Sequence, residues 1–159
     1  AGFEPPVPLE ITVAGEGDQR AKLEALIQAH RVPLRLPGYT EHPRTYLEGL
    51  NLYVQPSRSE GFGIGVHEAM TAGLPVIASR VGEPAFTIEP GKTGFLCVPN
   101  QPESLARALR EALADPPELA RIGSSARAAM LETYSQERFE ATGAAIWRRV
   151  AQACDQARP

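Results

Sequence analysis

The sequence predicts a doubly wound α/β domain, in which helices cover both faces of a parallel β-sheet. Short apolar runs alternate with helical patterns along the first hundred residues, and strands that are apolar on both sides are typical of parallel sheets. No internal repeat or low-complexity linker interrupts this alternation. With 159 residues, 43% of them hydrophobic, the chain suits one domain (1–159) with a hydrophobic core.

The strands are predicted from apolar runs that end at turn-forming residues. The first run is rich in β-branched residues and stops at Gly15, the second stops at Pro37 and Gly38, and the third stops at Pro56. The predicted strands are residues 9–14, 32–36, 50–54, 75–79 and 94–98.

Helices are predicted in the intervals and in the C-terminal third. Gly73 suits the end of a helix, Pro102 suits the first position of one, and Ser135 suits an N-terminal cap. Phe139 and Trp147 on the last helix are expected to pack in the core or against another domain. The predicted helices are residues 18–30, 40–49 and 65–72, followed by three that begin near Pro102, carry residues 119–130 and begin near Ser135.

Composition argues against several classes of function. The formal net charge is −3 and only two lysines are present, which does not suit nucleic-acid binding, because that depends on clustered basic residues. Cys97 and Cys154 lie far apart without a CxxC motif, so no zinc or dithiol centre is expected. Without a signal peptide or an apolar run that could cross a bilayer, a reduced cytoplasmic setting is expected.

One loop combines features of an anion site. Gly61, Gly63 and Gly65 lie between the third strand and the next helix, and in a parallel sheet ligands bind beyond the carboxyl ends of the strands. Glycine allows a ligand to approach the main chain. The helix N-terminus supplies unpaired N–H groups and partial positive charge, which suits a phosphate.

Two carboxylates flank these glycines. Glu60 precedes the turn and Glu68 lies about one turn into the helix, where side chains lean towards the N-terminus. Glu68 is therefore expected to face the ligand and to accept hydrogen bonds from a vicinal diol such as that of ribose, and Glu60 to hold the hydroxyls of a sugar. Taken alone, Glu68 is equally well explained as an acidic residue that stabilises its helix, and Glu60 as an exposed loop carboxylate.

These residues carry a family resemblance. Residues 60–70 and 73–79 resemble the E-x7-E region of the retaining glycosyltransferases of family four. Further motifs match in the same order: a strand and Gly-x-Gly turn, the end of the second strand, a G-x-T-G-x-L turn and the start of a helix. The likeness extends from about Leu9 to about Val150, and these further motifs are residues 13–17, 36–39, 91–96 and 102–105.

The resemblance implies one half of a GT-B fold, which consists of two Rossmann-like domains facing a cleft. The C-terminal domain binds a nucleoside diphosphate sugar, whose glycosyl unit passes to an acceptor hydroxyl with retained configuration, with no metal or other cofactor. Glu60 would be the catalytic residue and bind the donor sugar, and Glu68 would bind the ribose. The remaining donor-binding residues would be Gly15, Gly38, Tyr39, Gly61, Phe62, Gly63 and Ile64, mainly through their main chain.

The sequence departs from the family pattern in two places. The family domain opens with a further strand, a Gly-Arg turn and a Lys-Gly pair that grip the diphosphate, whereas this chain begins with residues 1–6, which hold no such motif. Where the family has Val-Gly-Gly-x-Pro-Glu, residues 81–86 place a carboxylate at Glu83 and a phenyl ring at Phe86. We expect a fragment without its first strand and without the acceptor-binding N-terminal domain, which binds nucleotides weakly and transfers no sugar alone.

Other interpretations stay open. An epimerase acting on nucleotide sugars has a similar fold, and a catalytically silent nucleotide-binding or interaction module would fit the missing basic residues. A receiver-like signalling domain would need an acidic cluster at the strand ends, which is absent. The donor base and the acceptor, a sugar or a lipid, are not readable. A lipid acceptor would place the full protein at the inner face of a membrane, in contact through the absent half.

Several other polar side chains carry a weaker signal. Arg58 and Arg80 follow strands and are as well explained by exposed charge as by a phosphate contact. His67 is expected to pack or to face solvent, and Lys92 to decorate a turn.

Overall fold

A computed structural model describes residues 7–156, and its side chains as far as residue 154. The opening segment, residues 1–6, on which the expectation of a missing first strand rests, lies outside the described residues. Every predicted strand and helix is present, with boundaries shifted by up to three residues. The elements are β1 (Ile11–Ala14), α1 (Arg20–His30), β2 (Leu34–Gly38), α2 (Pro43–Glu48), β3 (Tyr53–Gln55), α3 (Ile64–Thr71), β4 (Val76–Ser79), α4 (Pro84–Thr87), β5 (Phe95–Cys97), α5 (Pro102–Leu113), α6 (Pro116–Tyr134) and α7 (Gln136–Gln156).

The described strands pair in parallel, as predicted, but they form two sheets instead of one. β1 pairs with β2, and β4 lies between β3 and β5. The expectation of one continuous sheet is corrected here, because β1 and β3 are not paired with each other in the described part of the chain. An apolar pattern predicts that a segment is a strand but not which strand it pairs with, so this division could not be read from the sequence.

The three-stranded sheet is covered on both faces. Side chains alternate along β4, since Val76 and Ala78 join one core cluster and Ile77 joins the other. The first cluster includes Met70 of α3, and the second contains residues of β5 and α5, including Phe95. All four residues of β4 are buried, as expected for a central parallel strand.

Helix α6 contributes to both core clusters. Its N-terminal half supplies Ile122 to the cluster around α5, and its C-terminal half supplies Met130 to the cluster around α3. At Gly123 the helix lies against the main chain that leads into β4, where an added Cβ would be 2.3 Å from the carbonyl oxygen of Gly73. The guanidinium of Arg127 donates a hydrogen bond of 2.6 Å to the carbonyl of Thr71. Helix α6 therefore fixes the C-terminal end of α3.

The packing of helix α7 differs from the prediction. Ser135 caps it as predicted, because its Oγ accepts a hydrogen bond of 3.2 Å from the backbone N–H of Arg138. Phe139 and Trp147, however, are 79% and 73% exposed, so the prediction of a core position is wrong for the described residues. Docking of this face against another domain stays a prediction. None of the helices described between residues 7 and 156 combines the length and apolar character needed to cross a bilayer.

Candidate functional site

The glycine turn, residues 60–63, lies at the carboxyl end of β3 and leads directly into α3. Gly63 caps the helix with φ of 73°, a conformation that glycine adopts without steric cost. The backbone N–H groups of Val66 and His67 both donate to the Gly63 carbonyl, at 3.0 and 3.1 Å. The N–H groups of Ile64 and Gly65 precede them and have no acceptor within the helix, so they are free to bind an anion.

Glu60 is held in place by the strand that precedes it. Its Oε2 accepts hydrogen bonds from Nε2 of Gln55 at 2.5 Å and from Oγ of Ser57 at 3.3 Å. The hydroxyl of Tyr53 in turn donates to Oε1 of Gln55 at 2.6 Å. Gln55 and Tyr53 are not recognisable from the family motifs, although a polar residue directly after a predicted strand was a usable signal for Gln55. The resulting hydrogen-bond chain orients the half-buried Glu60 carboxylate beside the turn.

Glu68 lies near the same hydroxyl as Glu60. Burial raises the pKa of Tyr53, and the negative charges of Glu68 and then Glu60 raise this pKa further. Helix α3 approaches Tyr53 closely, since a Cβ added at Gly65 would be 2.5 Å from its hydroxyl oxygen. Glu68 is exposed, and its carboxylate makes no ion pair or hydrogen bond with the described residues. The two predicted carboxylates therefore both lie near the Tyr53 hydroxyl, and the oxygens of Glu68 are available to accept hydrogen bonds from a ligand.

The loop after β4 supports the glycine turn from the other side. Gly82 lies so close that an added Cβ would be 2.3 Å from the carbonyl oxygen of Glu60 and 2.4 Å from that of Gly61. The backbone N–H of Glu83 donates to the Gly61 carbonyl at 2.9 Å. The carboxylate of Glu83 accepts a hydrogen bond of 3.2 Å from the Tyr134 hydroxyl, while Phe86, at the position where the family has its carboxylate, is 84% exposed. The displaced carboxylate thus braces the loop against α6.

The remaining predicted donor-binding residues lie at the carboxyl edge of the other sheet. The N–H of Gly15 donates to the carbonyl of Gly38 at 2.7 Å, so the turns that follow β1 and β2 meet. Tyr39 is 77% exposed. Arg20 links the turn after β1 to β2, because its guanidinium donates hydrogen bonds to the carboxylate of Glu16 at 2.8 Å and to the Leu36 carbonyl at 3.1 Å. The structure therefore brings Gly15 and Gly38 together, in a sheet separate from that of Glu60.

The basic residues Arg58, Arg80 and Lys92 occupy different places in the fold. Arg58 lines a cavity with Ser79 and Cys97 at the carboxyl ends of β4 and β5, and the lining of this cavity includes no residue of the glycine turn. Arg80 is exposed. Lys92 lies in the turn before β5, at the amino end of that strand, and forms an ion pair of 2.8 Å with Glu89. Its predicted role as a surface residue of a turn is confirmed.

Comparison with known proteins assigns this architecture to a class. The parallel α/β domain with a site at the carboxyl ends of its strands is that of the C-terminal portion of the two-domain GT-B glycosyltransferases. A sucrose-phosphate synthase from Thermosynechococcus elongatus superposes with a TM-score of 0.78 at 30% identity, covering 91% of this chain and 39% of that one. A structure of S. aureus TarM in complex with UDP superposes at 0.76 and 30% identity, covering 82% of this chain and 27% of that one.

The sequence match gives the family. Residues 7–129 match the glycosyl transferases group 1, and the chain belongs to this family. A glycogen synthase of Mycobacterium tuberculosis is 30% identical over 141 residues, which make up 86% of this chain and 34% of that protein. The chain spans between 11% and 36% of the length of such curated relatives.

Proposed function

We propose that this chain binds the nucleoside diphosphate sugar of a retaining glycosyltransferase. The arrangement of the glycine turn supports the proposal most directly: two carboxylates lie near the Tyr53 hydroxyl, beside a helix N-terminus whose cap is a glycine at positive φ. A diphosphate suits the free N–H groups of Ile64 and Gly65. Membership of the family and the UDP present in the related TarM structure favour a nucleotide as the anion.

Each acidic residue has a separate role in this proposal. Glu68, whose carboxylate makes no hydrogen bond or ion pair with the described residues, accepts hydrogen bonds from the ribose 2′- and 3′-hydroxyls. Glu60, which Gln55 and Ser57 hold in one orientation, binds the transferred sugar and is the candidate catalytic residue. The N–H groups of the turn stabilise the charge that develops on the departing diphosphate, and preorganised donors of this kind supply much of the rate enhancement in such reactions.

Calorimetric titration of the purified chain with UDP, GDP, ADP and their glucose or mannose conjugates tests the proposal. We expect saturable binding of at least one nucleotide in the micromolar to millimolar range and a preference for one base. If none of these nucleotides gave binding heat in calorimetry, and none raised the melting temperature in a thermal-shift assay, the proposal would be contradicted.

Substitution of Glu68 isolates the ribose contact. Glu68→Ala is expected to lower the affinity for the preferred ribonucleotide about tenfold, and that for its 2′-deoxy analogue much less, since a hydrogen bond to a charged group contributes about 1.5–3 kcal/mol. Glu103→Ala is the matched control, because Glu103 is an exposed acidic residue in the first turn of α5, a different helix from the one that carries Glu68. Equal losses for ribo- and deoxyribonucleotide would rule out the diol contact.

The activity of the whole protein is also a proposal. We infer that sugar transfer needs an acceptor-binding partner domain, because the chain covers only a minor part of its relatives, and that residues 1–159 alone transfer no sugar. Robust hydrolysis or transfer of UDP-glucose by this chain would contradict that inference.

Metal independence belongs to the same proposal. The free N–H groups of Ile64 and Gly65 at the N-terminus of α3 supply the positive potential that the diphosphate needs. Nucleotide affinity is therefore expected to be the same in EDTA and in excess Mg²⁺. A large gain with Mg²⁺ would contradict it.

A further inference from the structure

Three rings from different parts of the fold meet behind the glycine turn. The ring of Phe62 lies 4.5 Å from that of His67, centroid to centroid, and 5.8 Å from that of Tyr134 in an edge-to-face arrangement of 86°. The rings of His67 and Tyr134 are 5.5 Å apart. Phe62 belongs to the turn, His67 to α3 and Tyr134 to the last position of α6, so the triad joins the turn to two helices.

Tyr134 contacts the turn by a second route. Its hydroxyl donates to the carboxylate of Glu83 at 3.2 Å, and the backbone N–H of Glu83 donates to the carbonyl of Gly61 at 2.9 Å. The ring of Tyr134 therefore acts on Phe62, and its hydroxyl acts through Glu83 on the neighbouring peptide of Gly61. One side chain braces two consecutive residues of the turn.

His67 forms the buried wall of this arrangement. It is only 5% exposed, and its Nε2 lies 3.2 Å from Oγ1 of Thr87. Its Nδ1 has no hydrogen-bond partner among the described residues. Burial lowers the pKa of His67, against the opposing effects of the Gly63 and Phe62 carbonyls and of Glu83, so the ring is neutral at pH 7. A neutral ring packs against Phe62 without an uncompensated charge.

We propose that Tyr134 is a positioning residue for the glycine turn, holding the peptide groups of residues 61–63 in the conformation that binds a diphosphate. The proposal rests on the proposed function in naming the diphosphate as ligand. Main-chain groups carry the binding here, so contacts outside the turn must set its geometry. Tyr134 and Phe62 are 42% and 51% exposed, which means that removing the Tyr134 ring leaves no buried cavity and leaves the core clusters intact.

Binding measurements on the full chain separate positioning from a general loss of structure. Tyr134→Ala is expected to lower the affinity for whichever of UDP, GDP or ADP binds best about tenfold, and that for the corresponding nucleoside less than about twofold. Tyr134→Phe keeps the ring and loses only the bond to Glu83, so an intermediate loss is expected. Leu131→Ala, which removes a 51% exposed side chain one turn earlier on the same helix, is the matched control and should leave both affinities unchanged. Equal losses for nucleotide and nucleoside would overturn the proposal.

Amide hydrogen exchange tests the same proposal without any ligand. The N–H groups of Val66, His67 and Glu83 donate to carbonyls of the turn, and in Tyr134→Ala they are expected to exchange at least about fivefold faster, while amides of α5 are unchanged. Unchanged exchange at these three amides would overturn the positioning role. If the wild-type chain bound no nucleotide, the proposed function would fail, and the exchange rates would still decide whether Tyr134 holds the turn.

Discussion

The side-chain amide of Gln55 donates a hydrogen bond of 2.5 Å to the carboxylate of Glu60, so the last residue of β3 orients the first residue of the glycine turn. Because the amide oxygen of Gln55 is in turn bound by the Tyr53 hydroxyl, the carboxamide cannot rotate freely. The candidate catalytic carboxylate is thereby anchored to a strand of the sheet, although it lies in a loop.

Gln55→Leu is expected to weaken the binding of the donor sugar without weakening that of the nucleoside diphosphate. Loss of a hydrogen bond to a charged group is expected to lower the affinity for nucleoside diphosphate sugars about tenfold, and to change that for the sugar-free diphosphates little, because the proposed role of Glu60 is limited to the sugar. Calorimetry with UDP-glucose and UDP, or the preferred base, measures both. Gln101→Leu, an exposed glutamine before α5, is the control, and equal losses for the two ligands would contradict the assignment.

Gly82→Ala tests the contact between the loop after β4 and the glycine turn. The added Cβ would meet the carbonyl oxygens of Glu60 and Gly61 at 2.3 and 2.4 Å, so we expect the free energy of unfolding to fall by about 1–3 kcal/mol more than in Gly91→Ala. Gly91 has a similar positive φ of 75°, and an added Cβ there would have no neighbour within 4 Å, so it controls for backbone strain. Urea unfolding of both variants gives the comparison, and similar losses would show that the contact is unimportant.

The stability of the domain should depend on the protonation of His67. Its pKa in the folded state is lowered from 6.5, chiefly by burial, with the Gly63 and Phe62 carbonyls and Glu83 acting in the opposite direction. The unfolded chain therefore binds this proton more readily, and the contribution of neutral His67 to stability is lost as the pH falls from 6.5 through the lowered pKa. The free energy of unfolding of the wild type, minus that of His67→Leu, is expected to decrease over this range. A difference independent of pH would contradict the buried neutral ring.

Two glycines in helices should respond to alanine with opposite signs. At Gly123 in α6, a Cβ would be 2.3 Å from the Gly73 carbonyl oxygen and 2.9 Å from Pro75, so Gly123→Ala is expected to destabilise the domain by about 1–3 kcal/mol. At Gly143 in α7 a Cβ would have no neighbour within 4 Å, and Gly143→Ala is expected to stabilise it by up to about 1 kcal/mol through helix propensity. Thermal and urea unfolding measure both, and a destabilising Gly143→Ala would reveal packing on α7 that the fold does not show.

Local patterns in the sequence predicted most of the fold. Apolar runs and terminators such as Pro102 and Ser135 gave the order and type of the long elements, because these signals act within a few residues. Helix α4 was missed, since four residues are too short to show a period. The division into two sheets was missed as well, because pairing is a long-range property.

In the candidate site, too, the residues that are close in sequence were predictable and the long-range contacts were not. Glu60, Glu68 and the glycines follow one another in sequence, so their proximity is local. The contacts of Glu60 with Gln55 and of Phe62 with Tyr134 depend on side-chain direction and on a separation of 72 residues in the second case, and no spacing rule predicts them. The assigned roles in ribose and sugar binding stay predictions until the titrations above are made.

The placement of α6 on both core clusters has a consequence for how the domain melts. Ile122 packs in the core cluster on one side of the three-stranded sheet, and Met130 packs in the cluster on the other side. Neither cluster can therefore unfold without disturbing helix α6, which belongs to both. The portion from β3 to α6 should consequently denature in a single cooperative step. The β1–α1–β2 unit, whose helix buries no side chain completely, is free to open earlier and at lower energetic cost.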